Sequence, residues 1–180
     1  MSRWKLVSQK TVFRAKLFNV KEVVFKNQKG TQKIHHIAQR NTVVSIFPLT
    51  DQYEVYLVSQ YRYMLEKTVL EAPSGYVKRQ ETTIAAAKRE LKEETGITAL
   101  QLEEIARVDL AGSVFKSKVH LFLAKGLEIG DNRLDDGEEI ALVKMPLDEA
   151  VNKVMNGEIN HAASMIGILL LDKLRAQKKL

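Results

Sequence analysis

The feature that most constrains this chain is a change of hydrophobic period near residue 82. Upstream of it, β-branched and aromatic residues recur in short runs, Thr11 to Phe13, Val20 to Phe25 and Thr42 to Phe47, and such runs predict strands. Lys29-Gly30 reads as a hairpin turn. Glu54 to Tyr61 alternates as a strand does, and Leu65 to Thr68 is polar enough to read as a loop. From Thr82 to Thr95 the period becomes helical: Ile84, Ala87, Leu91 and, at the edge, Thr95 fall three or four residues apart, and three consecutive alanines favour a helix. Thr82 or Thr83 can cap its start, and Gly96 stands where a left-handed residue ends a helix. Strand-like runs return at Ile105 to Leu110, Lys118 to Ala124 and Ile140 to Met145, with an acidic loop, GDNRLDDGEE, at 130–139. Two helices close the chain, Leu147 to Asn156 stopped by Gly157, and Ala162 to Ala176 with Met165, Ile168, Leu169 and Leu171 on its buried side. A mixed sheet with one helix in the middle and two at the end is an α/β layered domain.

At 180 residues the chain is long enough for one domain with a real core, and a second full domain would be a squeeze. Its 45% hydrophobic and 28% charged residues are those of a globular protein, without repeats or low-complexity tracts. There is no cysteine, so disulfides, thiolate metal sites and cysteine nucleophiles are excluded. An intracellular, cytoplasmic home is expected, because the N-terminus lacks an apolar signal-like run and Met165 to Leu171 is far too short to cross a bilayer. A net charge of +6 favours anionic partners in general, nucleotides and RNA alike.

Against that basic balance, Glu90, Glu93 and Glu94 lie within one helical turn. Steps of three and four residues return to nearly the same helix face, so the three carboxylates form a patch. Neighbours about 5 to 6 Å apart at Cβ repel by roughly 3 kcal/mol per pair if desolvated, and by much less in water. One reading is a solvated face on which Lys88, Arg89 and Lys92 pair with the glutamates. The other is a cation site, since hard divalent cations such as Mg²⁺ take oxygen ligands and often bind substrate phosphates at the same time.

The stretch GYVKRQETTIAAAKRELKEETGI, Gly75 to Ile97, resembles the signature of the Nudix hydrolases. Gly75, Glu81, Arg89, Glu90, Glu93, Glu94 and Gly96 stand at its seven fixed positions, and Leu91 and Ile97 at its two aliphatic ones. The resemblance covers 23 of the 180 residues and is much more specific than a lone glycine motif. It implies an α/β/α sandwich around a mixed sheet, with an N-terminal antiparallel β segment. It also implies a loop–helix–loop in which Glu90 and Glu94 bind Mg²⁺ (Mn²⁺ as a substitute), Glu93 assists directly or through water, and Glu81 pairs with Arg89 to brace the helix. The implied chemistry is attack of water on a diphosphate linked to another group.

Outside that signature, Gln60-Tyr61-Arg62 and Leu70-Glu71-Ala72-Pro73-Ser74-Gly75 resemble the subgroup that hydrolyses ADP-ribose and other nucleoside diphosphate sugars. By that resemblance Arg62 contacts substrate phosphates, Ser74 offers a backbone carbonyl to the metal, and the acidic loop supplies a catalytic base. Glu138 is the leading match for the base, with Glu139 and Asp136 as rivals; the bland reading of the loop is a solvated turn. The N-terminal strands with Phe13, Phe18 and Phe25 resemble the segment with which this subgroup builds a homodimer and stacks the base, Phe18 being the candidate; core packing is the ordinary alternative. The resemblance thus treats 1–180 as one domain, with 1–40 contributing to dimerisation and 41–180 forming the catalytic core. ADP-ribose-preferring members carry a proline shortly after the signature, whereas here none stands between Pro73 and Pro146. Broader nucleoside diphosphate sugar hydrolysis, to a nucleoside monophosphate and a sugar phosphate, is therefore expected. The alternatives are 5′ RNA pyrophosphate removal, disfavoured because no dense basic stripe is present, and a non-catalytic nucleotide-sugar sensor.

Overall fold

The computed structural model describes residues 3–110, 112–134 and 139–180. Its strands are β1 (Lys5–Arg14), β2 (Phe18–Lys26), β3 (Gln32–Arg40), β4 (Val43–Pro48), β5 (Glu54–Arg62), β6 (Lys67–Glu71), β7 (Ser74–Tyr76), β8 (Ile97–Asp109), β9 (Phe115–Lys116), β10 (Lys118–Ile129) and β11 (Ile140–Pro146). Its helices are α1 (Thr83–Thr95), α2 (Leu147–Met155) and α3 (Ala162–Ala176). The chain divides into two compact units, residues 1–42 with 109–118, and residues 43–108 with 119–180.

The first unit is a sheet in the order β1-β2-β3-β9. Its β2–β3 hairpin turns where Lys29-Gly30 suggested: Asn27 Oδ1 accepts hydrogen bonds from the backbone N–H of Lys29 (2.9 Å) and Thr31 (3.0 Å), and Gly30 adopts the positive φ of 83° the turn needs. Every residue of β1 is exposed.

The second unit is an α/β/α sandwich. At its centre β4 and β10 run parallel, in the sheet β7-β4-β10-β8, and β4 together with the paired 119–124 part of β10 is largely buried on both faces, as their near-continuous apolar sequences require. Alternate residues feed two cores. Val43, Phe47, Val119, Leu121 and Leu123 pack with Ala150, Val154, Ile168 and Leu171 of α2 and α3; Val44, Ile46, Phe122 and Ala124 pack with Ala86, Ala87 and Leu91 of α1. A second sheet, β11-β5-β6, is antiparallel throughout. Among the described residues no helix is long and apolar enough to cross a membrane.

Several expectations are corrected. Lys67 and Thr68, expected in a loop, begin β6; they pair with Arg62 and Tyr61, so the strand is set by its ladder rather than by burial, and its polar start leaves no apolar signal. The turn is confined to Tyr63–Glu66, with Glu66 at φ 52°. Ile84 and Leu169 point outward, 44% and 39% exposed, while Ala86 and the small residues Ser164 and Gly167 take the inner faces. Small residues win there because the helices lie close to the sheet. A Cβ placed on Gly167 would stand 1.9 Å from the Phe47 ring.

That contact fixes the sign of a test. Helix propensity alone makes Gly167→Ala stabilising by about 1 kcal/mol, but overpacking against Phe47 costs about 1–3 kcal/mol. The variant is expected to lower the urea midpoint at unchanged m-value; a raised midpoint would contradict the close approach of α3 to β4.

Candidate active site

Helix α1 presents its small apolar residues to the sheet and its carboxylates to β7. The Thr82 hydroxyl caps it by accepting from Ala85 N–H (3.2 Å), and Gly96 ends it at φ 72°. Arg89 organises the acidic face. Its Nη1 donates to Glu90 Oε1 (2.7 Å) and Glu93 Oε2 (2.8 Å), its Nε to Glu81 Oε1 (2.8 Å), and its Nη2 to Glu81 Oε2 (3.0 Å) and the Tyr76 carbonyl (3.0 Å). The fork thus pairs with Glu81 through two parallel bonds and still reaches two further carboxylates, a geometry a lysine cannot provide.

The electrostatics follow from that arrangement. Hydrogen bonding to Arg89 holds the Glu81 carboxyl down at about 2, helped by the Lys78 N–H, while the Arg89 guanidinium is held charged well above its usual range by Glu81, Glu90 and Glu93. Glu90 moves the other way. Burial pushes its carboxyl up, and Arg89 only partly opposes this. The expectation of a merely solvated face does not describe it: the Glu90 side chain is 13% exposed. Lys92, expected as a partner of the glutamates, instead donates to the Gly96 carbonyl (2.9 Å).

Strand β7 closes over this face. A Cβ on Gly75 would stand 2.0 Å from the Glu90 carboxyl carbon, so only glycine leaves that carboxylate its place. The backbone N–H of Ser74 donates to Glu94 Oε2 (3.0 Å). The residues before Gly75 fasten the site to the rest of the unit. Glu71 bonds Arg62 of β5, Ala72 N–H donates to Ser164 Oγ of α3 (2.9 Å), and the Pro73 carbonyl accepts from Ile46 N–H of β4 (2.8 Å).

The structure therefore gathers Ser74, Gly75, Glu81, Arg89, Glu90, Glu93 and Glu94 at one place. Arg62 lies at the end of β5, its Nε 2.7 Å from Glu71 Oε1. Phe18 belongs to the other unit, where its ring lies 5.8 Å from that of Phe13 and the residue is 39% exposed. Glu139 is exposed and directly precedes β11, whose first residue Ile140 pairs with Gln60, two residues before Arg62. Glu138 and Asp136 lie outside the described residues. The near end of the acidic loop is tied to α1, with Gly130 N–H donating to the Gly96 carbonyl (3.1 Å) and Arg133 N–H to the Glu93 carbonyl (2.9 Å). Glu71 and the Tyr76 carbonyl are contributors the sequence reading missed. A glutamate closing an otherwise apolar run, Val69-Leu70-Glu71-Ala72, was the available signal for the first; nothing in the sequence marks the second.

Among the described residues no group of three acidic, histidine or cysteine side chains is already arranged around a cation position. The donor set nevertheless suits a hard divalent cation. All the side-chain donors are carboxylate oxygens; Arg89 takes only one oxygen each from Glu90 and Glu93, and the partly buried Glu90 carries a charge that burial disfavours and a cation would compensate. Glu90, Glu93 and Glu94 are the residues that fit it.

Comparison with known proteins bears on the whole chain. The family model described as the NUDIX domain matches residues 39–165. An ADP-ribose pyrophosphatase of Bacillus subtilis (strain 168) is 29% identical over 181 residues, covering 97% of each chain. The methanol dehydrogenase activator of Bacillus methanolicus is 28% identical over 183 residues, covering 97% of this chain and 98% of its own. A solved structure titled as that of an ADP compounds hydrolase superposes with a TM-score of 0.84 at 26% identity, over 99% of this chain and 97% of the other. With the family model spanning well over half of its residues, the chain belongs to the Nudix hydrolase family.

Proposed function

We propose that this protein hydrolyses the diphosphate bond of nucleoside diphosphate sugars of the ADP-ribose type, with Mg²⁺ as the cation. Water adds to one phosphorus, the bridging P–O bond breaks, and a nucleoside monophosphate and a sugar phosphate leave. The observation that carries the reading is the Glu90 carboxylate wedged beside Gly75, with Glu93 on the same Arg89 fork and Glu94 on the Ser74 N–H. Relatives named as an ADP-ribose pyrophosphatase and an ADP compounds hydrolase support the substrate class. Glu90, Glu93, Glu94 and the Ser74 carbonyl would hold the cation, which when bound would neutralise phosphate charge and lower the pKa of water.

The chain's own residues supply position and charge. Arg62 offers its guanidinium to phosphate oxygens. The acidic loop, through Glu138, Glu139 or Asp136, takes the proton from the attacking water; in support, Glu139 directly precedes β11, which pairs with the strand that carries Arg62. By the family resemblance, Phe18 of the N-terminal unit is the residue offered for base stacking. The fully exposed β1, which leaves Leu6 and Phe13 half bare, supports a homodimer built through the N-terminal sheet. One relative is named as an activator of another enzyme, yet the complete carboxylate set here favours turnover over sensing alone.

Purified protein with Mg²⁺ is expected to release a monophosphate from ADP-ribose, ADP-glucose or GDP-mannose faster than pyrophosphate from 5′-triphosphorylated RNA. No release from any sugar nucleotide would contradict the reading, and faster attack on RNA would replace it. Glu94→Gln should lower kcat by at least about a hundredfold at unchanged melting temperature. Gly75→Ala should also lower kcat while leaving the fold intact, because the colliding atoms are the free end of the Glu90 side chain, which can swing away cheaply for the fold but not for the site. Undiminished turnover in either variant would remove these carboxylates from catalysis.

A further inference from the structure

Glu71 is a carboxylate in a costly position. It ends β6 with its side chain only 4% exposed, where an unpaired charge would be strongly destabilising. Arg62 neutralises it from the adjacent strand, and the way it does so leaves part of the arginine free for other work. Glu71 Oε1 accepts from Nε (2.7 Å) and also pairs with Nη2, which are the donors along one edge of the guanidinium. The other edge, Nη1 with the second N–H of Nη2, is directed away from Glu71, and the Arg62 side chain is 42% exposed. Two parallel donors on a plane already fixed in orientation match two oxygens of a phosphate.

The carboxylate has a second neighbour, just beyond hydrogen-bond distance. Its Oε2 lies 3.7 Å from Nδ1 of His161, the residue that precedes α3. That same Nδ1 lies 2.9 Å from Ser164 Oγ, and Ser164, fully buried, accepts the Ala72 N–H at 2.9 Å. The start of α3 thus bonds the residue after Glu71 through Ser164 and sets the His161 ring beside the Glu71 carboxylate.

We propose that Glu71 is the positioning residue for the Arg62 guanidinium, and that α3 holds Glu71 in register through His161 and Ser164. The proposal rests on the reading above that Arg62 contacts the substrate diphosphate. Fixing a long side chain before the ligand arrives removes an ordering cost from binding. A carboxylate beside Arg62 also weakens its attraction for an anion. The two effects have opposite signs, so experiment can separate them. If the ion pair only stabilises the fold, Glu71→Gln strengthens the local positive field and KM stays the same or falls. If Glu71 orients Arg62, KM rises.

The test is a double-mutant cycle of Glu71→Gln and Arg62→Ala, with His161→Gln alongside, read as kcat and KM for ADP-ribose with Mg²⁺. Glu71→Gln is expected to raise KM roughly tenfold, the effect of losing about one charge-assisted contact, with kcat within about twofold. In the Arg62→Ala background it should add no further rise, and His161→Gln should give a smaller rise in the same direction. Unchanged or lowered KM in Glu71→Gln, or effects of the two variants that multiply, would overturn the positioning role while leaving the Arg62 contact standing. Unchanged KM in Arg62→Ala would overturn both. Should Glu71→Gln fail to fold, Glu71→Asp, which keeps the charge and withdraws it by one methylene, is read in the same cycle with the same expectations. If wild-type protein turns over no sugar nucleotide, the cycle is read as the Kd of inorganic pyrophosphate by calorimetry, where the same pattern supports or overturns the proposal.

Discussion

The second unit depends on keeping several carboxylates together in a partly dry place. Glu90 is forced close to the backbone of β7 by the absence of a side chain at Gly75, and burial disfavours its charge. Glu93 lies one step along the same face and adds to the repulsion. Without a cation, the arrangement stands because a single arginine is anchored on Glu81 by two bonds and spends its remaining nitrogen on Glu90 and Glu93. Such an arrangement is poor as a device for stability alone, since buried ion pairs seldom outperform apolar packing. It is well suited to concentrating negative charge where a divalent cation and a diphosphate can meet.

The surroundings transmit that constraint through four consecutive residues. From Glu71 to Ser74 the chain contacts β5, α3, β4 and α1 in turn, through Arg62, Ser164, Ile46 and Glu94. The central sheet therefore positions the acid-bearing helix and the candidate phosphate arginine by one short stretch of backbone. Pro73 suits it, since a proline needs no partner for an N–H and its carbonyl is already engaged. Small shifts of α3 would be felt at both ends of the site.

Much of this was legible in the sequence, and the reasons for what was not are local. The bounds of α1 were readable because Thr82 and Gly96 carry cap chemistry that acts within a few residues, and the ends of α3 followed from its apolar period. The acid cluster was readable because helix geometry alone places Glu90, Glu93 and Glu94 side by side. By contrast, β6 and β7 owe their form to ladders with β5 and β4, and a polar Lys67-Thr68 or a Ser-Gly pair carries no strand signal of its own. Apolarity alone does not mark the inner face: Ile84, although in the helical period, and Leu169, expected inward, are exposed, whereas close helix–sheet contact selects Ala86 and Gly167. Glu71 escaped notice because its meaning depends on an arginine nine residues away and on a helix about ninety residues further along.

The central claim is that the α1 carboxylates form a divalent-cation site, and direct cation binding tests it without reference to any substrate. Titration of the metal-free protein with Mn²⁺, with the free ion followed by electron paramagnetic resonance, should show saturable binding that Glu90→Gln and Glu94→Gln weaken strongly and that Mg²⁺ competes away. Binding in both variants as tight as in the wild type, or no binding in the wild type, would contradict it.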